Sequence, residues 1–391
     1  MVFSLFSKKS AAREKDRELS LIIDIESGLV RGSLISFSKT PIVIYSVSSP
    51  IMASHAGKSR LLSAMVAAVG RIGDKVLREG LSAASTSRVS KIHCAFSSPW
   101  IISKTKTVKI HYERETEITK TAVTAILDGE RRGIEESFLN DHPGTSAADL
   151  AFIEQKIFEI KLNGYPVSDF QGKKARDLEV SFAVSVSSKN ILEHIEKAVE
   201  RSIRVHRIEY HSSLLLQYAA FRNLMSTRNS YIAAHIHNEI SDIIVVKNGV
   251  CSAMASFPLG TKAFAQKSAA ALGQPDDVTQ SLLSLRTKNA LNSLESEKIN
   301  SIIDPVIREW AERFMQTLAV VGDTDSMPRQ LYLATHEHYP YFERAILDQT
   351  ADRAVPLDIT PIDEVLLEKA VSFERSQDRN ALVSMYAFAL N

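Results

Sequence analysis

Glycine is scarce in this 391-residue sequence, at 15 residues, or about half of the usual ~7%. Loops that cradle phosphate need residues without a Cβ, so that backbone N–H groups can approach closely and positive φ costs nothing. The scarcity counts against such loops, although a helix-rich protein would share it. Cysteine is limited to Cys94 and Cys251, which excludes a disulfide framework and suits a reducing cytosol. An excess of either charge is also missing. With 47 basic against 46 acidic residues, the net charge of +1 gives no field that would draw nucleic acid. No apolar run approaches the roughly 20 residues needed to cross a bilayer. Walker loops, a G-x-S-x-G elbow and a Cys–His pair are all lacking.

What is present is a soluble globular composition, 45% apolar and 24% charged, in a chain long enough for two to four subdomains. Residues 1–18 read as a flexible tail. Phe3, Leu5 and Phe6 ahead of Lys8 and Lys9 allow a weak interfacial anchor instead, but one short patch holds a membrane only marginally.

Residues 19–25, 29–37 and 42–47 read as three adjacent strands, with a turn at Glu26-Ser27-Gly28. Leu62, Met65, Val69, Ile72 and Val76 then mark an amphipathic helix. A strand-turn-strand-turn-strand unit recurs at 231–257 and ends in Pro258-Leu259-Gly260 before a helix. Here His235-Ile236-His237 corresponds to Asp24-Ile25-Glu26, as a duplicated α/β unit predicts. Between the two units, residues 90–181 behave as an insertion. It carries strands at 91–102 and 105–112, a helix capped near Thr119, and strands at 151–161 and 178–187. Helices follow at 191–201, 261–272, 277–285 and 290–300, with a short strand at 205–210. A long stripe comes next, Ile303, Val306, Ile307, Trp310, Phe314 and Leu318. Leu331–Ala334 reads as a buried strand, and the chain closes in the apolar run Ser384–Asn391.

This order of elements resembles the FtsA and PilM branch of the actin-like ATPases across nearly all of residues 19–391. The resemblance implies an α/β fold of duplicated RNase H-like domains with an inserted subdomain. The first domain is then 19–89 with 182–228, the insertion 90–181, the second domain 229–260 with 301–391, and a small helical subdomain 261–300. The closing apolar run is similar to that of PilM, and FtsA's linker and membrane-targeting helix have no counterpart.

Members of that superfamily hold phosphates between two hairpins, use an aspartate to place a metal, and cradle adenosine with a double-glycine turn. At the first hairpin this chain keeps Asp24, Ser27 and Gly28 but puts Glu26 where the first glycine is expected. A second carboxylate there repels a polyphosphate unless a metal neutralises it; as an ordinary turn, Asp24 and Ser27 merely close the hairpin. At the second hairpin His237, Asn238 and Glu239 replace the glycines, and only Asp242 and Gly260 remain. At the adenosine turn Thr335, His336 and Glu337 stand where glycines belong. The expectation is a vestigial site that has lost ATP and Mg, with weak ATPase activity as the alternative. His235 with His237, and His336 with His338, form two H-x-H pairs that could hold zinc; the plainer reading is that they fill a vacated cleft.

The resemblance implies a cytoplasmic pseudo-ATPase scaffold at the inner face of the cell membrane, working in type IV pilus assembly. Its partner would be a short peptide from an inner-membrane assembly protein, bound between 19–89 and 90–181 or on a strand edge of the insertion. Self-association is a further expectation, and nucleic acid is not a partner. The alternatives are an FtsA-like cell-division protein and a nucleotide-dependent filament former.

Overall fold

The computed structural model describes residues 18–391 except 53–57, 85–87, 142–145, 204–206, 226–227, 289, 323–326, 336–337, 352–355, 363, 369 and 375–380. The tail assigned to 1–18 thus lies almost wholly outside the described residues. The chain forms two compact units, one of residues 1–100, 190–224 and 363–391, the other of 101–189 and 225–362.

In the first unit, β1 (Leu19–Ile25), β2 (Leu29–Ser36) and β3 (Ile42–Pro50) form an antiparallel meander. All seven residues of β1 are buried, because this central strand is covered on both faces, so its sequence is a nearly continuous apolar run. Helix α1 (Lys58–Lys75) continues through a π-turn (Val76–Gly80) into a last turn, α2 (Leu81–Ala83). The predicted stripe faces the sheet, with Met65, Val69, Ile72 and Val76 fully buried. Strand β4 (Val89–Phe96) lies parallel to β1 along its whole length.

The chain then leaves for the inserted layer of the second unit. Strand β5 (Ile101–Glu117), α3 (Lys120–Asp141), β6 (Leu150–Leu162), the short β7 (Tyr165–Pro166) and β8 (Lys174–Ser188) build an antiparallel sheet in the order β5-β8-β6-β7. Thr119 caps α3 as expected, its hydroxyl accepting from the Ala122 N–H at 3.1 Å. Val123, Leu127 and Ile134 of α3 belong to one core with Val180, Phe182, Val184 and Val186 of β8.

Helix α4 (Lys189–Ser202) returns the chain to the first unit, where β9 (Ile208–Ser212) adds parallel to β4 and is followed by α5 (Ser213–Leu224). In the second unit β10 (Tyr231–Ile236), β11 (Ser241–Lys247) and β12 (Val250–Phe257) form another antiparallel meander. Helices α6 (Thr261–Leu272), α7 (Asp276–Thr287) and α8 (Ser293–Val321) follow. Strand β13 (Gln330–Thr335), α9 (Tyr339–Thr350) and β14 (Asp358–Pro361) complete this unit, with β13 parallel to both β10 and β14. The chain ends in the first unit as α10 (Glu364–Leu367), β15 (Ser372–Phe373) and α11 (Ala381–Leu390).

The strand orders demonstrate the duplication. One sheet runs β15-β3-β2-β1-β4-β9 and the other β12-β11-β10-β13-β14. Apart from the β15 edge, each is a three-stranded meander extended by two parallel strands.

Several boundaries differ from the sequence reading. The inserted layer starts at Ile101 rather than 90, because β4 is hydrogen-bonded into the first sheet. It ends at 189 rather than 181, because β8 pairs with β5 as far as Ser187. Strands expected at 91–102 and 105–112 are instead β4 and a continuous 17-residue β5. The break falls at Ser97–Trp100, where Pro99 has no N–H to give a ladder. Residues 290–300 and the apolar stripe after 303 form one helix, α8, running through Pro305, so the boundary at 300/301 is not structural. Finally, residues 363–391 belong to the first unit and not the second: β15 extends the edge of β3, and the Tyr386 and Ser213 hydroxyls join α11 to α5.

Candidate functional site

The two hairpins of the expected nucleotide site share one backbone design. Four residues separate the last pair on each, Ile25↔Val30 and Ile236↔Ser241. The turn is closed the same way, by Glu26 N–H to Leu29 C=O and by His237 N–H to Ile240 C=O, both at 2.9 Å. This register equates Glu26 with His237, Asp24 with His235, and Arg31 with Asp242.

Each equivalent pair carries a buried ionisable contact, with polarity reversed. In the first hairpin Arg31 pairs directly across from Asp24. Its Nη1 donates to Asp24 at 3.1 Å and also to the Glu26 carboxylate. The three side chains are almost wholly buried. Burial alone would disfavour the guanidinium charge, but Glu26 and Asp24 outweigh it and hold Arg31 protonated. The turn is pinned further by the Trp100 indole N–H on the Glu26 carbonyl, at 2.8 Å, and by the Ile51 N–H on the Gly28 carbonyl, at 3.0 Å. Ser27 is buried in the same turn.

In the second hairpin His237 Nε2 meets the Asp242 carboxylate at 2.9 Å, and Ser256 donates to its other oxygen at 2.6 Å. His235 stacks on His237 with ring centroids 4.1 Å apart. Two residues apart on an extended segment, they share a side, as the alternation predicts. Asn238 and Glu239 form the turn, and Glu239 makes a surface ion pair with Lys262 at 2.9 Å.

Helix α6 begins against this turn. A free helix N-terminus exposes N–H groups that suit anions. Here the Thr261 N–H donates to the His237 carbonyl at 2.9 Å and the Lys262 N–H to the Asn238 carbonyl at 2.7 Å. Gly260 permits the approach, since a Cβ there would stand 2.3 Å from the His237 carbonyl oxygen and 2.6 Å from Asn238. Its backbone is extended, so the requirement for glycine is one of space. Ser241 completes the joint, donating to Leu259 C=O at 2.6 Å and accepting from the Trp310 indole at 3.0 Å.

The adenosine-turn residues are only partly described. Thr335 ends β13 beside Ile236, and His336 and Glu337 lie outside the described residues. His338 has left-handed backbone (φ 62°) before α9, and its ring stands edge-on to Phe264 at 5.4 Å. Among the described residues, neither His235 and His237 nor His338 belongs to a three-residue group with metal-ligand spacing.

Arg31 is absent from the sequence-derived site. Its signal was available, since it faces Asp24 one strand over at a distance fixed by the turn length.

Two meanders of one topology, each prolonged by parallel strands and separated by an inserted α/β layer, define a protein of the actin-like ATPase fold. Its fold is similar to that of PilM. The solved PilM-PilN type IV pilus biogenesis complex matches with a TM-score of 0.63 and 13% identity, covering 96% of this chain and 97% of that one. The ethanolamine utilization protein EutJ from Carboxydothermus hydrogenoformans gives 0.46 at 12% identity, over 97% and 93% of the chains. A Bacteroides thetaiotaomicron protein with an actin-like ATPase fold gives 0.40 at 10%, over 98% and 100%. At these identities the likeness is one of fold. No protein-family model matches the chain, and no curated protein matches it by sequence. Among the described residues no helix is long and apolar enough to cross a membrane.

Proposed function

We propose that this chain is a PilM-like scaffold without ATPase activity, which docks a PilN-like membrane assembly protein at the inner face of the cell membrane. The observation that carries the proposal is the use of the hairpins' own polar groups. Arg31 already neutralises the aspartate that would place a metal, and the first N–H groups of α6 are already bonded to the turn carbonyls. A metal or phosphate at either hairpin would have to displace these bonds, at a cost of roughly 1.5–3 kcal/mol for each charge-assisted hydrogen bond forgone.

Titration calorimetry with Mg-ATP tests the loss of nucleotide. No heat is expected, and micromolar binding would favour the nucleotide-dependent filament that the retained Asp24, Ser27, Asp242 and Gly260 allow.

The partner is inferred from the solved PilM-PilN complex. A peptide strand could add to β5, which forms one edge of the inserted sheet; backbone hydrogen bonds would supply affinity and alternate side chains specificity. Capture of membrane proteins from cells of the source organism, with the untagged chain as competitor, separates the readings. Pilus-assembly proteins support the proposal, and division proteins support an FtsA-like role.

A further inference from the structure

Away from both hairpins, the parallel pair β4 and β9 brings three metal-ligating side chains together. The register is His93↔Glu209 and Ala95↔His211. Residues at matched and alternate positions share a face, so His93, Glu209 and His211 project together. His93 Nδ1 lies 3.0 Å from His211 Nε2 and 3.6 Å from a Glu209 carboxylate oxygen. The ligand atoms of all three lie within 4.8 Å of one another.

We propose that His93, Glu209 and His211 form a binding site for a divalent transition-metal ion. Imidazole and carboxylate donors suit Ni²⁺, Cu²⁺ and Zn²⁺, with Cu²⁺ generally bound most tightly by a given donor set. His93 is buried while Glu209 and His211 are half-buried, which leaves room for water on the remaining positions.

Burial first, then His211 and Lys91, push His93 down to about 4, and the facing nitrogens of His93 and His211 lie within hydrogen-bonding distance. Glu209 is the contested ligand, paired with Lys91 at 2.6 Å and Arg207 at 2.7 Å. An incoming ion takes the place of the Lys91 ammonium on that carboxylate, which moderates affinity. The bound ion would fasten edge strand β9 to β4.

Tag-free protein stripped with a chelator is titrated by calorimetry with NiCl₂, CuCl₂ and ZnCl₂, alongside His211→Ala, Glu209→Gln and the exposed control His111→Ala. One equivalent of Ni²⁺, Cu²⁺ or Zn²⁺ is expected to bind, weakened about tenfold or more by His211→Ala and Glu209→Gln and unchanged by His111→Ala. His211 is half-exposed on an edge strand, so unchanged far-ultraviolet circular dichroism verifies the fold of that variant. Saturating metal should raise the thermal midpoint of the parent and not of His211→Ala. Absence of binding to the parent, or binding that survives His211→Ala, would overturn the site.

Discussion

His237 and Asp242 meet at 2.9 Å across the second hairpin, in the positions that Glu26 and Arg31 occupy in the first. The duplicated fold has kept a buried acid–base pair at the same place twice and exchanged its polarity. In both hairpins the buried polar side chains of the turn have a partner within the same hairpin.

Removing Arg31 should be severely destabilising. Arg31→Ala takes from the buried Asp24 and Glu26 the guanidinium that bonds both of them, and breaking a buried pair costs about 3–5 kcal/mol. The thermal midpoint should fall clearly. Combining Arg31→Ala with Asp24→Asn and Glu26→Gln should recover part of the loss, because neutral amides do not repel each other. Equal midpoints for the single and triple variants would show that the charges do not matter.

Gly260→Ala should separate α6 from the hairpin turn. The new Cβ would clash with backbone at His237 and Asn238, at an overpacking cost of about 1–3 kcal/mol. Amide hydrogen exchange at Thr261 and Lys262 should accelerate. Gly133→Ala is the control, since its Cβ in α3 meets nothing within 4 Å, and it should be neutral or stabilising by up to about 1 kcal/mol.

Ser241→Ala removes the hydroxyl that joins the Trp310 indole to the Leu259 carbonyl. Leaving the buried indole N–H unsatisfied costs about 1–3 kcal/mol. Denaturant unfolding should register the loss, and a shift in tryptophan emission should accompany it. An unchanged spectrum and midpoint would mean that water replaces the hydroxyl.

The two thiols should be inert in the native protein. Cys94 is fully buried and Cys251 nearly so. Burial pushes the Cys94 thiol well above its usual range and Cys251 up to about 12, so the reactive thiolate is scarce at neutral pH. Ellman's reagent should find no thiol until denaturant is added, and then both. Fast reaction of the native protein would contradict the burial.

The fold was legible where a segment has one exposed face. The stripes of α1 and α8, the Thr119 cap and the two meanders follow from period, turn residues and capping. Legibility failed where neighbours cover a segment all round. Helix α5 shows no stripe because Leu214, Leu215, Leu216 and Tyr218 are all buried, so its sequence carries no face to read. The division between β4 and β5 failed for a related reason: strand content is local, but membership of a sheet depends on which partner supplies the hydrogen bonds.

The candidate site divides in the same way. That Glu26, His237, Asn238 and Glu239 are not glycines is written in the sequence, because glycine's role is local to its own backbone. That Arg31 occupies the carboxylates, that Gly260 serves a close packing of α6, and that His93 meets His211 at a sequence separation of 118 all depend on how the strands are set in register. The sequence by itself determined the duplicated meanders and the scarcity of glycine, since those rest on residue type and period. Only the tertiary structure decided which polar groups neutralise one another, because side chains distant in the chain share a charge environment only after the sheets have set their register.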